Sequence, residues 1–289
     1  MSGVVWLTGA TGVVGPSLCV SLSRAGYEVS AISRSSDGDA AACRRHRGDI
    51  ERPESLRDLP APDVLVHAAP LWLAPALLRY AASRGLRRAV LFGSTSVVTK
   101  QTSMDAHDRG LAGRLQRAEE AGTNICADAG IALTLLRPTL IYGYGRDRNI
   151  TTIARFVRRF RFFPVAGKAG GCRQPVHADD LAAAAAAALT APASARRVYN
   201  LGGGERLSYR EMVGRIFDAL SLPRRIVSLP APLYRGLLAL RSRMAGQQEI
   251  SAGAAARMNE DLCFDLGDAE RDLGYRPAAF LTHPARDLA

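Results

Sequence analysis

The sequence predicts an α/β fold in which a doubly wound parallel sheet carries helices on both faces. Three observations support this prediction. Short apolar runs alternate with segments of helical length, a glycine-rich loop directly follows the first apolar run, and 47% of the 289 residues are hydrophobic. That apolar content is ample for one large domain or two closely packed ones. Strands that alternate with helices are joined by right-handed crossovers into a parallel sheet.

The elements follow one another in the order that this fold requires. Residues 4–7 are the first predicted strand, and a helix is predicted over residues 16–25. Gly26 ends that helix, because glycine readily takes the left-handed conformation. Further strands are predicted at residues 27–33, 63–68, 88–93 and 131–136, with helices near 73–84 and 179–190. Beyond residue 200, helices with Pro- and Arg-rich connections predict a smaller, mostly helical C-terminal lobe.

The glycine loop between the first strand and the first helix reads TGATGVVG over residues 8–15. Glycine permits a tight turn and lets backbone N–H groups approach a pyrophosphate, which is stabilised by the positive end of the following helix. Strand, loop and helix occur here in the required order within thirty residues. The sequence therefore predicts a dinucleotide site. Its expected contacts are Gly9, Thr11, Gly12, Val13, Val14 and Gly15.

The charge of the chain is strongly positive and unevenly distributed. The formal net charge is +11, and all but two of the 38 basic residues are arginines. Residues 141–243 carry 18 basic and 6 acidic side chains, so the excess is concentrated in the middle of the chain. A bias in genome composition would explain arginine usage in general, whereas a local excess indicates an anionic partner. No nucleic-acid-recognition motif accompanies it, so we expect a phosphate-bearing small molecule and no nucleic acid.

The spacing of the cysteines and the uncharged segments indicate the cellular compartment of the protein. The chain has five scattered cysteines without a CxxC spacing: Cys19, Cys43, Cys126, Cys172 and Cys263. This pattern predicts reduced thiols, no zinc or other metal site, and a cytoplasmic protein. The uncharged first 23 residues are interrupted by glycines and Pro16, which argues against a membrane span or an export signal.

Six further short motifs follow the glycine loop along the chain. They are Gly48-Asp49-Ile50, His67-Ala68-Ala69, Gly93-Ser94-Thr95-Ser96, Leu136-Arg137-Pro138, Arg173-Gln174-Pro175-Val176-His177 and Asn200-Leu201-Gly202-Gly203. With the glycine loop, they resemble the extended short-chain dehydrogenase/reductase superfamily, which includes the NAD-dependent epimerases and dehydratases. The resemblance covers nearly the whole chain and implies a Rossmann-type fold.

The resemblance also implies how the chain is divided. The dinucleotide-binding domain would comprise residues 1–140 and about 175–200. The substrate-binding lobe would comprise about 141–174 and 201–289. Besides the glycine loop, the cofactor contacts it implies are Asp49, Ile50, His67, Ala68, Ala69 and Pro138, with Asp49 near the adenine.

The end of the second strand bears on the choice between the two nicotinamide cofactors. An NAD site usually has an acidic residue there to accept from the ribose 2′-hydroxyl. This chain has Ser33, Arg34 and Ser35 instead, and its first carboxylate is Asp37. Arginine can bind a 2′-phosphate with two charge-assisted hydrogen bonds. We therefore expect NADP(H) rather than NAD(H).

The catalytic pair typical of the superfamily is missing. Thr95 matches the Ser/Thr position, where its hydroxyl would hydrogen-bond the reacting oxygen. A Tyr-x-x-x-Lys pair should follow, yet no tyrosine lies between Tyr80 and Tyr142 and no lysine between Lys100 and Lys168. The usual proton donor is therefore absent. His107 and Tyr142 are the substitutes we consider first, with Asp105 and Tyr144 as further candidates, although residues 103–110 have the composition of a solvated loop.

In the nucleotide-sugar enzymes of the superfamily, the basic middle segment forms the substrate lobe. The resemblance places Asn149 near the substrate, Arg173 on its phosphates and Tyr142 at the wall of the cleft. An apolar face over residues 229–243 is expected to pack within the lobe or to form a homodimer contact.

Two functions remain open at this point. One is an NADP(H)-binding epimerase, dehydratase or reductase that acts on a nucleotide-sugar through a non-standard active site. The other is a non-catalytic NADP(H)-binding regulatory or scaffold protein. The missing tyrosine favours the second function, whereas the retained Thr95 and Arg173 favour the first.

Overall fold

The computed structural model describes residues 3–34, 38–40, 42–234, 236 and 253–288. Its strands are β1 (Val4–Thr8), β2 (Glu28–Ser33), β3 (Gly38–Ala40), β4 (Cys43–Arg47), β5 (Val64–His67), β6 (Arg88–Phe92), β7 (Ala132–Pro138), β8 (Ile141–Tyr142), β9 (Phe163–Ala166), β10 (Cys172–Arg173), β11 (Val176–His177), β12 (Arg197–Leu201), β13 (Leu207–Ser208) and β14 (Ile226–Leu229). Its main helices are α1 (Gly15–Arg24), α2 (Ala74–Ala82), α3 (Ser96–Thr99), α4 (Ala106–Asp128), α5 (Ile150–Phe160), α6 (Ala178–Thr190), α7 (Tyr209–Ala219), α8 (Gly253–Arg257), α9 (Gly267–Leu273) and α10 (Pro284–Asp287).

Eight strands form the central sheet in the order β12-β7-β6-β5-β1-β2-β4-β3. Neighbouring strands are parallel, except that β3 pairs antiparallel with β4. The chain builds outward from β1 through β2 to β4, then returns to the other side of β1 with β5. The doubly wound parallel sheet is therefore confirmed. Its strand order reverses between β1 and β5, where the carboxyl ends of the strands open a crevice for a ligand.

The central strands β1, β5, β6 and β7 are buried on both faces because they are mainly apolar at consecutive positions, whereas the outer strand β4 is polar and largely exposed. In β1, Val5 and Leu7 face one cluster of buried side chains, and Trp6 faces the other. Successive side chains of a strand point to opposite faces, so one short strand serves both layers. Helices α1 and α6 cover the first face, and α2 and α4 cover the second.

The second lobe has its own apolar cluster, formed mainly by α5, β9 and α7. Besides the expected helices, it contains strands paired as β9 with β14 and β10 with β13, while β8 pairs with β11 beside it. Strands β8, β10, β11 and β13 have two residues each and are too short to show a periodicity. The four-residue strands β9 and β14 were not predicted either. The domain bounds stay a prediction.

One expectation about the cysteines is wrong. Cys172 and Cys263 are joined by a disulfide, 91 residues apart in sequence. Their pairing depends on β10 lying against the segment after α8, where the Leu262 N–H donates to the Cys172 carbonyl at 3.0 Å. No sequence spacing encodes that contact. Cys19, Cys43 and Cys126 are free.

The apolar segment 229–243 lies mostly outside the described residues, so the homodimer stays a prediction. No helix in the described ranges is long and apolar enough to cross a membrane. The same ranges contain no group of three or more His, Cys, Asp or Glu side chains arranged to hold a metal ion.

Candidate active site

The glycine loop occupies the crevice at the carboxyl end of β1. Gly9 has a φ of +76°, a backbone conformation that residues other than glycine adopt only with strain. A Cβ at this position would also overlap the Ala68 carbonyl. A Cβ on Gly15 would overlap the backbone of Ala10. The Gly12 N–H donates to the Gly9 carbonyl at 2.9 Å and closes the turn. The loop is therefore a bare-backbone cradle at the start of α1, which suits an anionic group.

A cavity of about 580 Å³, here called the first cavity, opens beside this loop. It collects nine of the predicted cofactor contacts: Gly9, Thr11, Gly12, Ser33, Arg34, Asp49, Ile50, Ala68 and Ala69. Ser35 lies outside the described residues. Val13 lines a different cavity, and Val14 and Gly15 are buried beneath the loop. The sequence did not single out Trp72, which also lines the first cavity and is 37% exposed.

Two polar side chains of the first cavity are free to meet a ligand. Arg34 is exposed and has no side-chain partner among the described residues. Asp49 accepts at one carboxylate oxygen from the Glu51 N–H at 3.0 Å, which holds the side chain in place and leaves the second oxygen available. Ser55 Oγ accepts from the Asp49 N–H at 2.9 Å and fixes the same turn. The arrangement offers an anion-binding guanidinium and a positioned hydrogen-bond acceptor.

His67 lies beneath the first cavity and does not line it. Its Nδ1 is 2.9 Å from Thr8 Oγ1, and its Nε2 is 3.2 Å from the Pro70 carbonyl. A carbonyl only accepts, so the proton is on Nε2 and Nδ1 accepts from the threonine hydroxyl. Burial lowers the pKa of His67 to about 4, and the ring is therefore neutral at pH 7. Its role here is to join β1 to the chain after β5.

A second cavity of about 450 Å³ lies between the sheet and the second lobe. Val13 belongs to both the glycine loop and this wall, so the two cavities are neighbours. The other lining residues are Ser94, Thr95, Ser96, Thr99, Lys100, Thr139, Leu140, Ile141, Asp147, Arg148, Asn149, Arg173, Gln174, Arg257 and Leu262. Four of these are cationic and one is acidic. Three residues predicted to meet a substrate, Thr95, Asn149 and Arg173, are thus brought together.

Thr95 is held at the floor of the second cavity. Its Oγ1 donates to the Pro138 carbonyl at 3.2 Å, and its N–H donates to the same oxygen at 3.1 Å. The hydroxyl oxygen keeps its acceptor capacity, and the hydroxyl can rotate to donate to a ligand instead. Pro138, predicted as a cofactor contact, therefore lines neither cavity and supports Thr95 from behind.

Arg173 lies in the wall of the second cavity, but both of its Nη atoms already donate to backbone carbonyls. Its Nη1 donates to the Cys172 carbonyl at 2.6 Å and to the Glu260 carbonyl at 2.8 Å, and its Nη2 donates to the Arg257 carbonyl. The side chain is 5% exposed. In this arrangement Arg173 joins β10 to the segment after α8 and contributes its charge to the cavity.

Asn149 begins α5 at the mouth of the second cavity. Its N–H donates to Asp147 Oδ1 at 2.9 Å, and Thr151 Oγ1 donates to Asp147 Oδ2 at 2.6 Å. The single acidic side chain of the cavity is therefore occupied by the first turn of α5, while the Asn149 amide stays exposed.

The sequence did not reveal an ion-pair cluster beside the second cavity. Lys100 Nζ lies 2.7 Å from Asp108 Oδ1, and Arg257 pairs with the other carboxylate oxygen. The Asp108 side chain is only 2% exposed, whereas Lys100 and Arg257 reach the cavity. A buried carboxylate between two cations holds both in place. Nothing local predicts this, because Arg257 comes from 149 residues away.

Neither proposed substitute for the missing tyrosine lines the second cavity. Tyr142 is 1% exposed, and its hydroxyl oxygen accepts from the Leu281 N–H at 3.0 Å inside the second lobe. Burial raises the pKa of Tyr142 above its ordinary value, which makes it a still weaker acid. His107 is exposed in the first turn of α4 and lines neither cavity. Asp105 caps α4 by accepting from the His107 N–H at 2.9 Å, so a helix replaces the expected solvated loop.

Tyr144 is also engaged elsewhere, because its hydroxyl donates to Asp179 Oδ1 at 2.8 Å.

Comparison with known proteins identifies the family of this chain. The family model described as the NAD dependent epimerase/dehydratase family matches residues 5–72 and 72–202. Uncharacterized protein y4nG of Sinorhizobium fredii is 30% identical over 199 residues, which cover 65% of this chain and 47% of that protein. The chain thus spans about half the length of that relative. The UDP-glucose 4-epimerase of Vibrio cholerae is 24% identical over 319 residues, covering 99% of this chain and 94% of the relative.

Among solved structures, the UDP-glucuronic acid 4-epimerase from Bacillus cereus, in complex with UDP-glucuronic acid and NAD, superposes with a TM-score of 0.74. The identity is 16%, and the alignment covers 99% of this chain and 98% of that one. This likeness shows that the two proteins share a fold. On the family match over residues 5–202, the chain belongs to the NAD dependent epimerase/dehydratase family.

Proposed function

We propose that the chain binds NADP(H) in the first cavity and a nucleotide-sugar in the second, and acts on the sugar as an epimerase, dehydratase or reductase. The observation that carries the proposal is the second cavity itself. It places Thr95 among four cationic side chains, next to Val13 of the glycine loop. A site for a phosphorylated substrate beside a dinucleotide site needs this combination of an oxygen-binding hydroxyl and positive charge.

The residues of the first cavity fit a nicotinamide dinucleotide. The bare backbone at Gly9 and Gly12 leaves room for the pyrophosphate at the start of α1, and Asp49 can accept from the adenine amino group. Arg34, unpaired among the described residues, would bind a ribose 2′-phosphate, and that favours NADP(H) in this chain. When bound, the nicotinamide exchanges a hydride with a carbon of the substrate.

The four cations of the second cavity differ in how free they are to bind a diphosphate. Arg173 is held by backbone carbonyls, and Lys100 and Arg257 share Asp108. Arg148 is exposed at the cavity and has no side-chain partner in the described ranges. Its guanidinium is therefore free to make bidentate contacts with a phosphate. Arg148, more than the predicted Arg173, is the residue that we assign to the substrate phosphates.

Lys100 is the side chain that we assign to proton transfer in place of the tyrosine. Arginine does not release its proton in proteins, so Lys100 is the one of the four cations that can act as an acid. One of its three N–H bonds points to Asp108. Because Lys100 and Thr95 line the same cavity, we expect the other two to be available to the substrate oxygen that Thr95 would bind. The lysine and the threonine would thus share the reacting oxygen.

The proposal is tested on the purified protein by mass spectrometry of carried-over nucleotide and by turnover of a panel of UDP- and dTDP-sugars. We expect bound NADP(H) and conversion of at least one sugar. Lys100→Met should lower kcat by about 100-fold or more, in the range of general acid–base catalysis, and leave the Kd for NADPH unchanged. Lys168→Met is the matched control, because Lys168 is exposed and does not line the second cavity. Equal loss of kcat in both variants would contradict the role of Lys100.

A non-catalytic NADP(H)-binding protein is the second candidate. It is favoured by one observation, that no tyrosine is among the described residues that line either cavity. Tight NADPH binding without conversion of any sugar in the panel would support this candidate and remove the first one.

A further inference from the structure

Two free thiols are in direct contact behind the glycine loop. Cys19 Sγ in α1 lies 2.8 Å from Cys43 Sγ at the start of β4, although 24 residues separate them. Both side chains belong to the apolar cluster on the α1 face of the sheet. Cys19 is 6% exposed and Cys43 is half-buried, so Cys43 is the more exposed of the two residues. The third free cysteine, Cys126, is buried in α4 and forms no hydrogen bond to another sulfur among the described residues.

We propose that Cys19 and Cys43 are a redox-active pair that hydrogen peroxide converts into a disulfide tying α1 to β4. The two sulfurs already approach each other, so the bond can form without moving either element far. None of the roles assigned to the two cavities involves these residues, and the inference does not depend on the proposed function.

The burial of the two thiols sets the order of the steps. Burial and the neighbouring Cys43 raise the pKa of Cys19 to about 12, so its sulfur stays protonated at neutral pH. The half-buried Cys43 is then the thiol that meets the oxidant first. Its sulfur attacks one peroxide oxygen, the O–O bond breaks, and the departing hydroxide takes up the thiol proton and leaves as water, giving a sulfenic acid on Cys43.

The second step closes the bond. The Cys19 sulfur attacks the sulfenic sulfur of Cys43, the S–S bond forms, and the sulfenic oxygen leaves as water with the Cys19 proton. Two thiols lose two electrons in all, and one peroxide is reduced to two waters.

The bond would join two elements that end at the first cavity. Helix α1 begins at the glycine loop, and β4 leads directly into Gly48 and Asp49. Closing a loop of this length constrains the unfolded chain, so the oxidised protein should melt at a temperature roughly 5 °C higher.

The test treats the full-length protein with hydrogen peroxide, blocks free thiols with iodoacetamide under denaturing conditions, and maps the digest by mass spectrometry. The expected result is a Cys19–Cys43 cross-linked peptide that appears with peroxide and disappears with dithiothreitol, while Cys126 stays alkylated by the blocking reagent. In Cys19→Ser, Cys43 should stop at a sulfenic acid that dimedone traps. In Cys43→Ser, Cys19 should remain a free thiol.

Melting curves supply a second measurement. The gain on oxidation should occur in the wild type and be absent from Cys43→Ser, while both proteins keep the Cys172–Cys263 disulfide, so that bond cannot account for the difference. Dimers cross-linked through Cys43, or a Cys43 sulfenic acid that persists in the wild type, would overturn the proposal. So would peroxide oxidation of Cys126 at the same rate as the pair.

Discussion

The two cavities of this protein are lined by different kinds of residues. The first is walled mainly by backbone and by small side chains at the carboxyl ends of adjacent parallel strands. The second is walled by long charged side chains, among them Lys100, Arg148 and Arg257, that come from distant parts of the chain. The conformation of the glycine loop is determined by a short stretch of adjacent residues. The side chains of the second cavity are distant in sequence and meet only in the folded chain. The lining of the first cavity is therefore largely predictable from local motifs, whereas the sequence pointed to only three residues of the second, Thr95, Asn149 and Arg173.

The largest expected effect separates the two cavities outright. A Cβ at position 15 would overlap the backbone of Ala10, so Gly15→Ala must displace the glycine loop. Displacing a binding element by about 1 Å costs roughly 100-fold, and we expect at least that loss of NADPH affinity. UDP binding to the second cavity should change by no more than about 3-fold, since Val13 is the one residue of the glycine loop that lines it and its charged side chains are untouched. Isothermal titration measures both.

Gly110→Ala is the matched control for Gly15→Ala, because no atom lies within 4 Å of a Cβ at that exposed helical position. It should leave both affinities as they are. If Gly15→Ala kept its NADPH affinity, the glycine loop would not be the pyrophosphate site.

The second prediction concerns His67, the buried histidine beneath the first cavity, and the effect of pH on the free energy of unfolding. The pKa of His67 is lowered to about 4 in the native state, against about 6.5 in an unfolded chain. As pH falls below 6.5 the unfolded chain binds a proton that the native protein does not, so the free energy of unfolding decreases. The decrease attributable to His67 should reach about 3 kcal/mol by pH 4.

Urea unfolding at pH 7 and pH 4.5 checks this prediction. His67→Gln should lose most of the pH dependence that the wild type shows, and His107→Gln, at an exposed helix start, should keep it. An unchanged slope in His67→Gln would mean that the buried ring is not the neutral group that we describe.

The third prediction sharpens the assignment of the first cavity to NADP(H). Arg34→Ala removes a cation without a partner among the described residues, so no internal contact is lost with it. A hydrogen bond to a charged group contributes about 1.5–3 kcal/mol, which corresponds to a loss of about 10- to 100-fold in NADPH affinity. NADH affinity should stay the same. Arg52→Ala, an exposed arginine outside the cavity, is the control. Tighter binding of NADH than NADPH by the wild type would contradict the preference.

What the sequence could predict follows the same division. The parallel sheet and the glycine loop were predictable because strand alternation and loop spacing are local. Asp108 was not, because the composition around it indicated a solvated loop, and its burial depends on Lys100 and Arg257 meeting it in the folded chain. Arg173 was placed at the right cavity, but the carbonyls that occupy its donors come from residues 84 and 87 positions away. Contacts between residues so far apart in sequence produce no local pattern from which they could be predicted.

The smallest expected effect concerns Trp72, an aromatic residue that lines the first cavity and was not predicted from the sequence to do so. Trp72 is exposed at the cavity wall with the Arg114 guanidinium 3.9 Å over its ring, while the chain's other tryptophan, Trp6, is fully buried. NADPH in the first cavity should therefore quench the emission of Trp72, and UDP in the second should not. Trp72→Phe should abolish the signal and weaken NADPH binding by only about 3-fold, since aromatic contacts contribute on the order of 1 kcal/mol. Quenching by UDP that equals quenching by NADPH would show that the two ligands share one cavity, and the contrast between the two sites would then fail.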